Sequence, residues 1–224
     1  MTPSPARLAI LASGGGSNLQ AILDHFAALG AAAPGTIALA ASDRAAAGAL
    51  DRARSAGVPA VHLPRGDGAA LEAALASHRI THIALAGYLR LIPSAVVDAY
   101  RGRVVNIHPA LLPAFGGPGM FGAHVHAAVL SAGARISGPT VHFVDTRYDE
   151  GAIIAQWPVP VHPDDTPASL GARVLAAEHR VYPACVAALC AGRLVLDSAG
   201  RVHGAPSLVF DRFVPDHGTD PFLP

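Results

Sequence analysis

Short segments that are apolar at almost every position alternate with alanine-rich segments of helical periodicity, and this alternation limits the fold more than any other feature of the chain. The apolar segments are residues 7–12, 36–41, 60–63, 81–86 and 104–108. The helical segments between them are residues 17–29, 45–56, 69–78 and 93–100. Continuously apolar strands joined by helices are typical of a parallel sheet that is covered on both faces. The sequence therefore predicts an α/β fold, with a mostly parallel twisted sheet and helices on both faces.

The later part of the chain continues this pattern less regularly. After a Gly/Pro-rich loop, the predicted elements are a helix near residues 123–131, strands at 140–145 and 153–161, and a helix at 167–191. A hairpin and a loose end are expected from Gly192 onward, where Pro and Gly recur. We predict a single domain over residues 1–224, with halves at about 7–103 and 104–196 and a tail at 197–224.

Composition excludes several classes of protein. Apolar residues make up 51% of the chain and charged residues 14%, which is far too apolar for a disordered chain. All 16 basic residues are arginine, so chemistry that needs a phosphate-loop lysine or a Schiff-base lysine is excluded. Because 16 acidic residues balance them, we expect no nucleic-acid partner and no anionic membrane partner.

The sequence predicts neither membrane insertion nor export. The longest run without Asp, Glu, Lys or Arg covers residues 104–134, but its His, Pro and Gly residues do not suit a membrane span. Residues 1–7 predict no signal peptide. Cys185 and Cys190 project from different faces of a predicted helix, and we expect both to be reduced thiols. These features together predict a cytoplasmic protein.

A glycine-rich loop, SGGGSN at residues 13–18, lies between the first predicted strand and the first predicted helix. Glycines let the main chain approach a phosphate, and the helix N-terminus supplies N–H donors, for which Ser17 or Asn18 can also act as a cap. Leu19 replaces the third glycine of a dinucleotide fingerprint, so a phosphomonoester fits better than a nicotinamide cofactor. Asp43 stands near the place of a ribose-binding acid, although strand ends often carry Asp as a turn former. A plain glycine turn is the alternative interpretation.

Asn106 and His108 stand two residues apart at the end of a predicted strand, so their side chains point to the same side. Pro109 ends the strand and places both at its carboxyl end, where open parallel sheets bind ligands. An amide can donate to a developing oxyanion, and an imidazole can give or take a proton. The alternative is a structural pair that satisfies loop main-chain groups.

A histidine that acts as an acid near neutral pH needs a carboxylate to hold its proton. Asp145, Asp149 and Glu150 follow the predicted strand at 140–145. We predict that Asp149 is this partner, with Glu150 as the second choice. A solvated loop of turn-forming acids is the alternative.

The histidines His124, His126 and His142 raise the question of a zinc site. Residues two apart on a helix do not share a face, and neither a cysteine nor an acid stands at ligand spacing beside them. We therefore predict that no metal is bound. His126 can instead contact a substrate, and His142 can brace the active-site loop.

Four segments of the chain carry a family resemblance. They are SGGGSNLQAI at 13–22, LAGYLRLI at 85–92, NIHPALLP at 106–113 and GPTVHFVD with DEG between 138 and 151. Together they resemble the phosphoribosylglycinamide formyltransferases, which are folate-dependent enzymes of purine biosynthesis. The resemblance extends from about residue 7 to residue 196. It implies a Rossmann-like formyltransferase fold and transfer of a formyl group from the co-substrate 10-formyltetrahydrofolate to the amine of 5'-phosphoribosylglycinamide.

The resemblance also implies a role for individual residues. Asn106 matches the catalytic amide, His108 the general acid, and Asp149 the aspartate that raises the pKa of the histidine and keeps it charged. The residues that match the substrate-binding set are Gly15, Gly16, Ser17, Asn18 and Glu178. The residues that match the folate-binding set are Arg65, Leu89, Arg90, Leu91, Ile92, Asn106, Asp145 and Asp149. Small-molecule substrates and a monomer or homodimer are expected.

One loop departs from the family pattern. Residues 114–123 are rich in glycine, and Ala114 stands where a lysine is found in other members. The glycines predict a mobile loop that closes over the phosphate end of the substrate.

Three other functions compete with the transferase. Formyltetrahydrofolate deformylase is expected to carry a regulatory domain ahead of the first strand, where this chain has six residues. Methionyl-tRNA formyltransferase is expected to carry a C-terminal domain and a basic surface. The third alternative is a phosphate-binding module in which Asn106 and His108 are structural.

Overall fold

The computed structural model of the chain describes residues 5–64 and 68–204. Its strands are β1 (Ala6–Leu11), β2 (Gly35–Ser42), β3 (Ala60–His62), β4 (His82–Leu85), β5 (Val104–His108), β6 (Ile136–Ser137), β7 (Thr140–Phe143), β8 (Ile153–Gln156), β9 (Val159–Pro160), β10 (Val195–Leu196) and β11 (Val202–His203). Its α-helices are α1 (Ser17–Leu29), α2 (Gly48–Ser55), α3 (Gly68–Ser77), α4 (Ser94–Ala99), α5 (Ala123–Ser131) and α6 (Pro167–Cys190).

Seven strands form one sheet in the order β3-β2-β1-β4-β5-β7-β8. The five strands from β1 to β5 pair in parallel, whereas β7 and β8 are antiparallel to their neighbours. This confirms the predicted α/β fold with a mostly parallel sheet. The chain adds β2 and β3 on one side of β1 and then β4 and β5 on the other, and such a reversal opens a crevice at the carboxyl ends of the strands.

Apolar cores cover both faces of the sheet, as the continuously apolar strands predict. Alternate residues of β1 divide between them: Leu8 and Ile10 join the core beneath α1 and α6, whereas Ala9 and Leu11 join the core beneath α3 and α4. Each fully buried aliphatic side chain contributes about 1.5–3 kcal/mol to such a core. A third core lies between α5 and the first half of α6. The two helices thereby close the side of the crevice.

The single strand predicted at residues 153–161 is wrong. The segment divides into β8, which is an edge strand of the main sheet, and β9, which pairs with β6 in a separate two-stranded sheet. Trp157 donates its main-chain N–H to the oxygen of Pro139 at 3.1 Å, and Pro158 has no N–H to donate to a ladder. The strand therefore changes partners at this dipeptide.

The N-terminus of α1 also differs from the prediction. Neither Ser17 nor Asn18 caps the helix. The N-cap residue is Gly16, which has no side chain to cap with and lies in the left-handed region at φ 77°. A Cβ atom at Gly16 would lie 2.6 Å from the Cα of Ala49 in α2. The glycine is thus required both by its left-handed conformation and by the close approach of α2.

The tail is described up to residue 204. The predicted hairpin is present as β10 and β11, which pair in antiparallel fashion, while residues 205–224 lie outside the described residues. Cys185 and Cys190 are both buried free thiols. In the described part of the chain, none of the helices is both long enough and apolar enough to cross a membrane.

We predict that Gly16→Ala lowers the free energy of unfolding by about 2–4 kcal/mol, because alanine is strained in the left-handed region and its Cβ clashes with α2. Chemical denaturation measures the loss. Gly14→Ala is the matched control: a Cβ there has nothing within 4 Å, and the change should stay within about 1 kcal/mol. Equal losses in the two variants would contradict the explanation.

Candidate active site

A cavity of about 540 Å³ opens at the carboxyl edge of the sheet. Its walls are the turn after β4, the end of β5, residues 117–123, the loop after β7 and one face of α6. Ligand cavities in proteins are typically of about this size, mostly apolar with a few polar groups. The crevice expected from the reversal of strand order is therefore the main candidate for a ligand site.

The structure brings together the three residues predicted to be catalytic. Asn106 and His108 lie on β5, and Asp149 lies in the loop after β7. The Nδ1 atom of His108 is 3.4 Å from Oδ2 of Asp149. Asp149 is thus close to the His108 ring, as predicted for its partner carboxylate, since antiparallel pairing places β7 directly beside β5.

Asp149, and not Glu150, faces His108. Asp149 has φ 56°, and its Oδ2 accepts a hydrogen bond from the main-chain N–H of Gly117 at 2.9 Å. Glu150 instead forms an exposed ion pair with Arg147 at 2.6 Å. The left-handed turn at Asp149 thus directs its carboxylate inward and leaves its neighbour at the surface.

The charge on Asp149 is stabilised by its neighbours. Burial acts to raise the pKa of this carboxyl, but the adjacent rings of His142 and His108 and the N–H of Gly117 lower it more. The pKa of Asp149 therefore lies below its ordinary value. The site contains an ionised carboxylate that is mostly shielded from water.

His108 is different, because burial is the largest effect on its ring. Burial lowers the pKa of His108, and the opposing effects of Asp149 and of the Phe115 main-chain oxygen do not cancel it. Asp149 thus raises the pKa of His108, as expected, but burial lowers it more, so the neutral ring is favoured in the free protein. Nε2 of His108 donates to the oxygen of Phe115 at 2.9 Å, so an added proton would enter at Nδ1, facing Asp149.

His142 on β7, which the sequence analysis expected only to brace the active-site loop, contacts two of the predicted catalytic residues. Its Nδ1 donates to the main-chain oxygen of Phe143 at 2.8 Å, which leaves the Nε2 lone pair of a neutral ring facing Nδ2 of Asn106 at 3.0 Å. The Asn106 amide therefore donates to His142 and is fixed in one orientation. Nε2 of His142 also lies 3.6 Å from Oδ1 of Asp149. Pairing of Asn106 with His142 across β5 and β7 is the signal that could have identified it.

At the far side of the cavity, Asn18 on α1 meets Glu178 on α6. Nδ2 of Asn18 donates to Oε2 of Glu178 at 2.6 Å. Burial raises the pKa of Glu178 to about 7, and the hydrogen bond from Asn18 offsets this only in part. Oδ1 of Asn18 is buried and has no hydrogen-bond partner among the described residues, so it is available to a ligand donor.

The rest of the glycine loop lies beside the cavity and not in its wall. Gly15, Gly16 and Ser17 do not line the cavity, although Asn18 does. Arg52 from α2 donates from Nε to the oxygen of Gly15 at 2.8 Å. A chain without lysine thus has an arginine next to the loop predicted to hold a phosphate.

The predicted folate-binding residues gather at the other end of the cavity, with one exception. Those that line the cavity are Leu89, Arg90, Leu91, Ile92, Asn106, Asp145 and Asp149. Arg65 lies outside the described residues. Among residues 5–64 and 68–204, no group of three His, Cys, Asp or Glu side chains could hold a metal ion.

Comparison with known proteins gives a consistent result. A family model described as Formyl transferase matches residues 6–186. The chain is 43% identical to the chloroplastic phosphoribosylglycinamide formyltransferase of Arabidopsis thaliana, over 86% of this chain and 68% of that protein. A crystal structure of glycinamide ribonucleotide transformylase 1 from Symbiobacterium toebii has a TM-score of 0.80 and 41% identity, covering 89% of this chain and 93% of the other.

A formyltetrahydrofolate deformylase from Pseudomonas syringae pv. tomato str. DC3000 is more distant. Its structure has a TM-score of 0.69 and 22% identity, with 90% of this chain and 66% of the other covered. At this identity the similarity shows a common fold alone.

We predict that Glu178→Gln changes the pH dependence of stability. Folding raises the pKa of Glu178 from 4.5 to about 7, so the native state binds the proton more tightly, and stability is lost as pH rises through this interval. Replacing Glu178 with neutral Gln removes that loss. The free energy of unfolding of the variant, relative to the parent, should rise by about 2–3 kcal/mol between about pH 5 and about pH 8.

Denaturation curves at the two pH values measure this difference. Glu72→Gln, on the exposed side of α3, is the control and should show no difference of that size. A parent and a Glu178→Gln variant with parallel pH profiles would refute the burial argument.

Proposed function

The chain belongs to the formyl transferase family, and from this premise we propose that it transfers the formyl group of 10-formyltetrahydrofolate to the amine of 5'-phosphoribosylglycinamide, giving 5'-phosphoribosyl-N-formylglycinamide in purine biosynthesis. The observation that carries the proposal is the cluster of Asn106, His108 and Asp149 at a cavity whose far side holds Asn18 and Glu178. Groups suited to acyl transfer therefore lie at the same cavity as polar groups that can bind a substrate.

The reaction needs a carbonyl activator and a proton carrier. The amine nitrogen of phosphoribosylglycinamide attacks the formyl carbon, a tetrahedral oxyanion forms, and the bond from this carbon to N10 of the donor breaks. The amine loses one proton, and N10 gains one. Groups fixed before the reaction stabilise the oxyanion best, because they need no reorganisation as charge develops.

Asn106 is suited to bind the oxyanion. It lines the cavity, and one N–H of its amide is used by His142, which fixes the direction of the other. A fixed N–H donor at a forming oxyanion is the arrangement of an oxyanion hole. We assign this role to Asn106, and a positioning role to His142.

His108 and Asp149 are suited to carry the proton. His108 is neutral in the free protein, so it can accept the proton that the attacking amine releases, and the adjacent Asp149 stabilises the cation that results. His108 then returns the proton toward N10. Because the ring is 3% exposed and does not line the cavity, water or Asp149 has to connect it to the substrate in this arrangement.

Residues 114–123 control access to this pair. The oxygen of Phe115 accepts a hydrogen bond from Nε2 of His108, and the N–H of Gly117 donates one to Oδ2 of Asp149. A Cβ atom at Gly116 would lie 2.6 Å from Cδ2 of Leu112 and 3.2 Å from Cβ of Asp149, so a side chain there would displace Leu112. We propose that this segment moves when substrate binds and exposes His108. Closure of the loop over the phosphate end of the substrate stays a prediction.

The remaining assignments follow the same arrangement. We propose that the substrate phosphate binds at Gly15, Gly16 and Ser17, where the N-terminus of α1 attracts an anion. Asn18 and Glu178 would contact the part of the substrate between phosphate and amine. The donor would bind along residues 89–92 and the loop from Asp145 to Asp149. A cytoplasmic location, a monomer or homodimer, and Arg65 as a donor contact stay predictions.

One assay tests the function against its rivals. Purified protein is mixed with 10-formyltetrahydrofolate, and absorbance follows release of the folate with and without phosphoribosylglycinamide. We expect release only when the amine is present. Release without the amine would indicate a deformylase, and no release under either condition would indicate a binding module.

We predict that Asn106→Ala and Asp149→Ala each lower kcat by about a hundredfold or more, because one loses the oxyanion donor and the other the group that stabilises charged His108. Glu150→Ala, next to Asp149 but paired with Arg147 at the surface, is the matched control and should stay within about threefold of the parent. If both site variants also stay within about threefold, the catalytic assignment is wrong.

A further inference from the structure

An ion pair at the rim of the cavity joins Arg90, in the segment proposed to bind the donor, to Asp43, which has no role in the chemistry proposed above. Nε of Arg90 donates to Oδ2 of Asp43 at 3.1 Å. The Arg90 side chain borders the cavity and is 44% exposed, whereas the Asp43 side chain is 2% exposed. Ion pairs with two exposed partners contribute little to stability. This pair differs because its anion is buried and only its cation reaches the rim.

Asp43 is held as a buried anion. Burial acts to raise its pKa, but the hydroxyl of Ser13 and the guanidinium of Arg90 lower it more, so the pKa lies below its ordinary value. A buried charge is costly unless nearby groups compensate it. Its second oxygen, Oδ1, has no hydrogen-bond partner among the described residues. Asp43 therefore depends on Arg90 and Ser13 for compensation.

Ser13 connects this pair to two loops of the site. Its main-chain N–H donates to the oxygen of Gly87, and its Oγ accepts from the N–H of Leu89, both at 3.0 Å. Ser13 follows β1, Asp43 follows β2, and Leu89 and Arg90 follow β4, three strands that are adjacent in the sheet. The glycine loop and the turn that carries Arg90 are therefore tied together beneath the cavity.

The hydrogen bond from Nε of Arg90 to Asp43 leaves the two terminal nitrogens of the guanidinium available to a ligand. Among the described residues, neither terminal nitrogen of Arg90 makes a hydrogen bond. Arg147, which also lines the cavity, is engaged with Glu150 at 2.6 Å. A guanidinium that is held at Nε presents its two terminal N–H groups as a planar fork, which matches a carboxylate.

We propose that Asp43 is a positioning residue: it holds Nε of Arg90 so that the terminal nitrogens bind a carboxylate at the outer end of the formyl donor. The proposal rests on the proposed function, because that function supplies a donor with a glutamyl group. Asp43 acts through Arg90 and does not touch the donor. Its effect should therefore appear in donor binding and not in the chemical step.

Steady-state kinetics with two donors test the proposal. The donors are 10-formyltetrahydrofolate and the N-methylamide of 10-formyltetrahydropteroate, which lacks the glutamyl group and has no carboxylate. For Asp43→Asn, we expect the KM for the complete donor to rise about five- to tenfold, kcat to change by less than about twofold, and the KM for the truncated donor to be unchanged. Arg90→Gln should give the same pattern, and adding Asp43→Asn to it should cause no further rise.

Two further variants make the test specific. Arg90→Lys keeps the positive charge but has no Nε–H donor and no fork, so it should show the selective rise in KM even if Asp43→Asn does not fold. Asp51→Asn removes the carboxylate of an exposed pair with Arg54 and should leave both KM values unchanged. Equal KM rises for the two donors, additive effects of the two variants, or parent-like behaviour of Arg90→Lys would overturn the proposal.

Failure of this inference is distinguishable from failure of the proposed function. A parent that shows no amine-dependent transfer contradicts the function. In that case calorimetry with tetrahydrofolate and the N-methylamide of tetrahydropteroate compares the same variants without turnover. A loss of affinity confined to tetrahydrofolate in Asp43→Asn supports the positioning role, and its absence overturns it.

Discussion

Parallel pairing of β1 with β4, and of β4 with β5, is the constraint on which the rest of the site depends. It brings the glycine loop, the turn at residues 87–92 and the pair Asn106 and His108 to one edge of the sheet. These segments are separated along the chain, yet the register places their carboxyl ends side by side. Antiparallel addition of β7 then brings His142 opposite Asn106 and the following loop within reach of His108. The site is therefore a consequence of strand order.

Two buried acids, Asp43 and Glu178, and the partly buried Asp149 differ in how their charge is compensated. Asp149 has two histidines and a main-chain N–H, and Asp43 has an arginine and a serine, so each pKa is lowered despite burial. Glu178 has a single amide donor, and burial raises its pKa to about 7. Partners, more than depth of burial, decide which acid is ionised. The cavity thus has fixed negative charges at the reacting end and at the donor rim, and a titratable group at the substrate end.

The neutral state of His108 links electrostatics to motion. Burial of the ring disfavours its charged form. In the proposed mechanism the ring becomes charged only when the reaction supplies a proton, and Asp149 then stabilises the cation. The main chain of residues 115–117 hydrogen-bonds both members of the pair: Phe115 accepts from Nε2 of His108, and Gly117 donates to Asp149. Removal of that segment and protonation of the ring would then belong to the same event.

The sequence by itself determined the fold class, the strands and helices of the first half, and the segments that form the site. It could do so because buried parallel strands are continuously apolar, and because strand ends of such sheets bear the polar residues. The family resemblance, drawn from four short segments, agrees with the comparisons over nearly the same range. The sequence ranked Asp149 before Glu150 as the partner of His108, but it could not show which of the two carboxylates faces the ring.

Only the tertiary structure decided which polar groups share a partner. Local sequence allowed Ser17 or Asn18 to cap α1, but contact with α6 uses the Asn18 side chain for Glu178, and contact with α2 requires Gly16 at the cap. The break at Trp157, the role of His142 and the ion pair of Asp43 with Arg90 likewise depend on strand pairing over long chain separations. The net direction of the His108 pKa shift depends on packing for the same reason: burial is a property of the packed molecule, and a residue's neighbours in sequence do not reveal it.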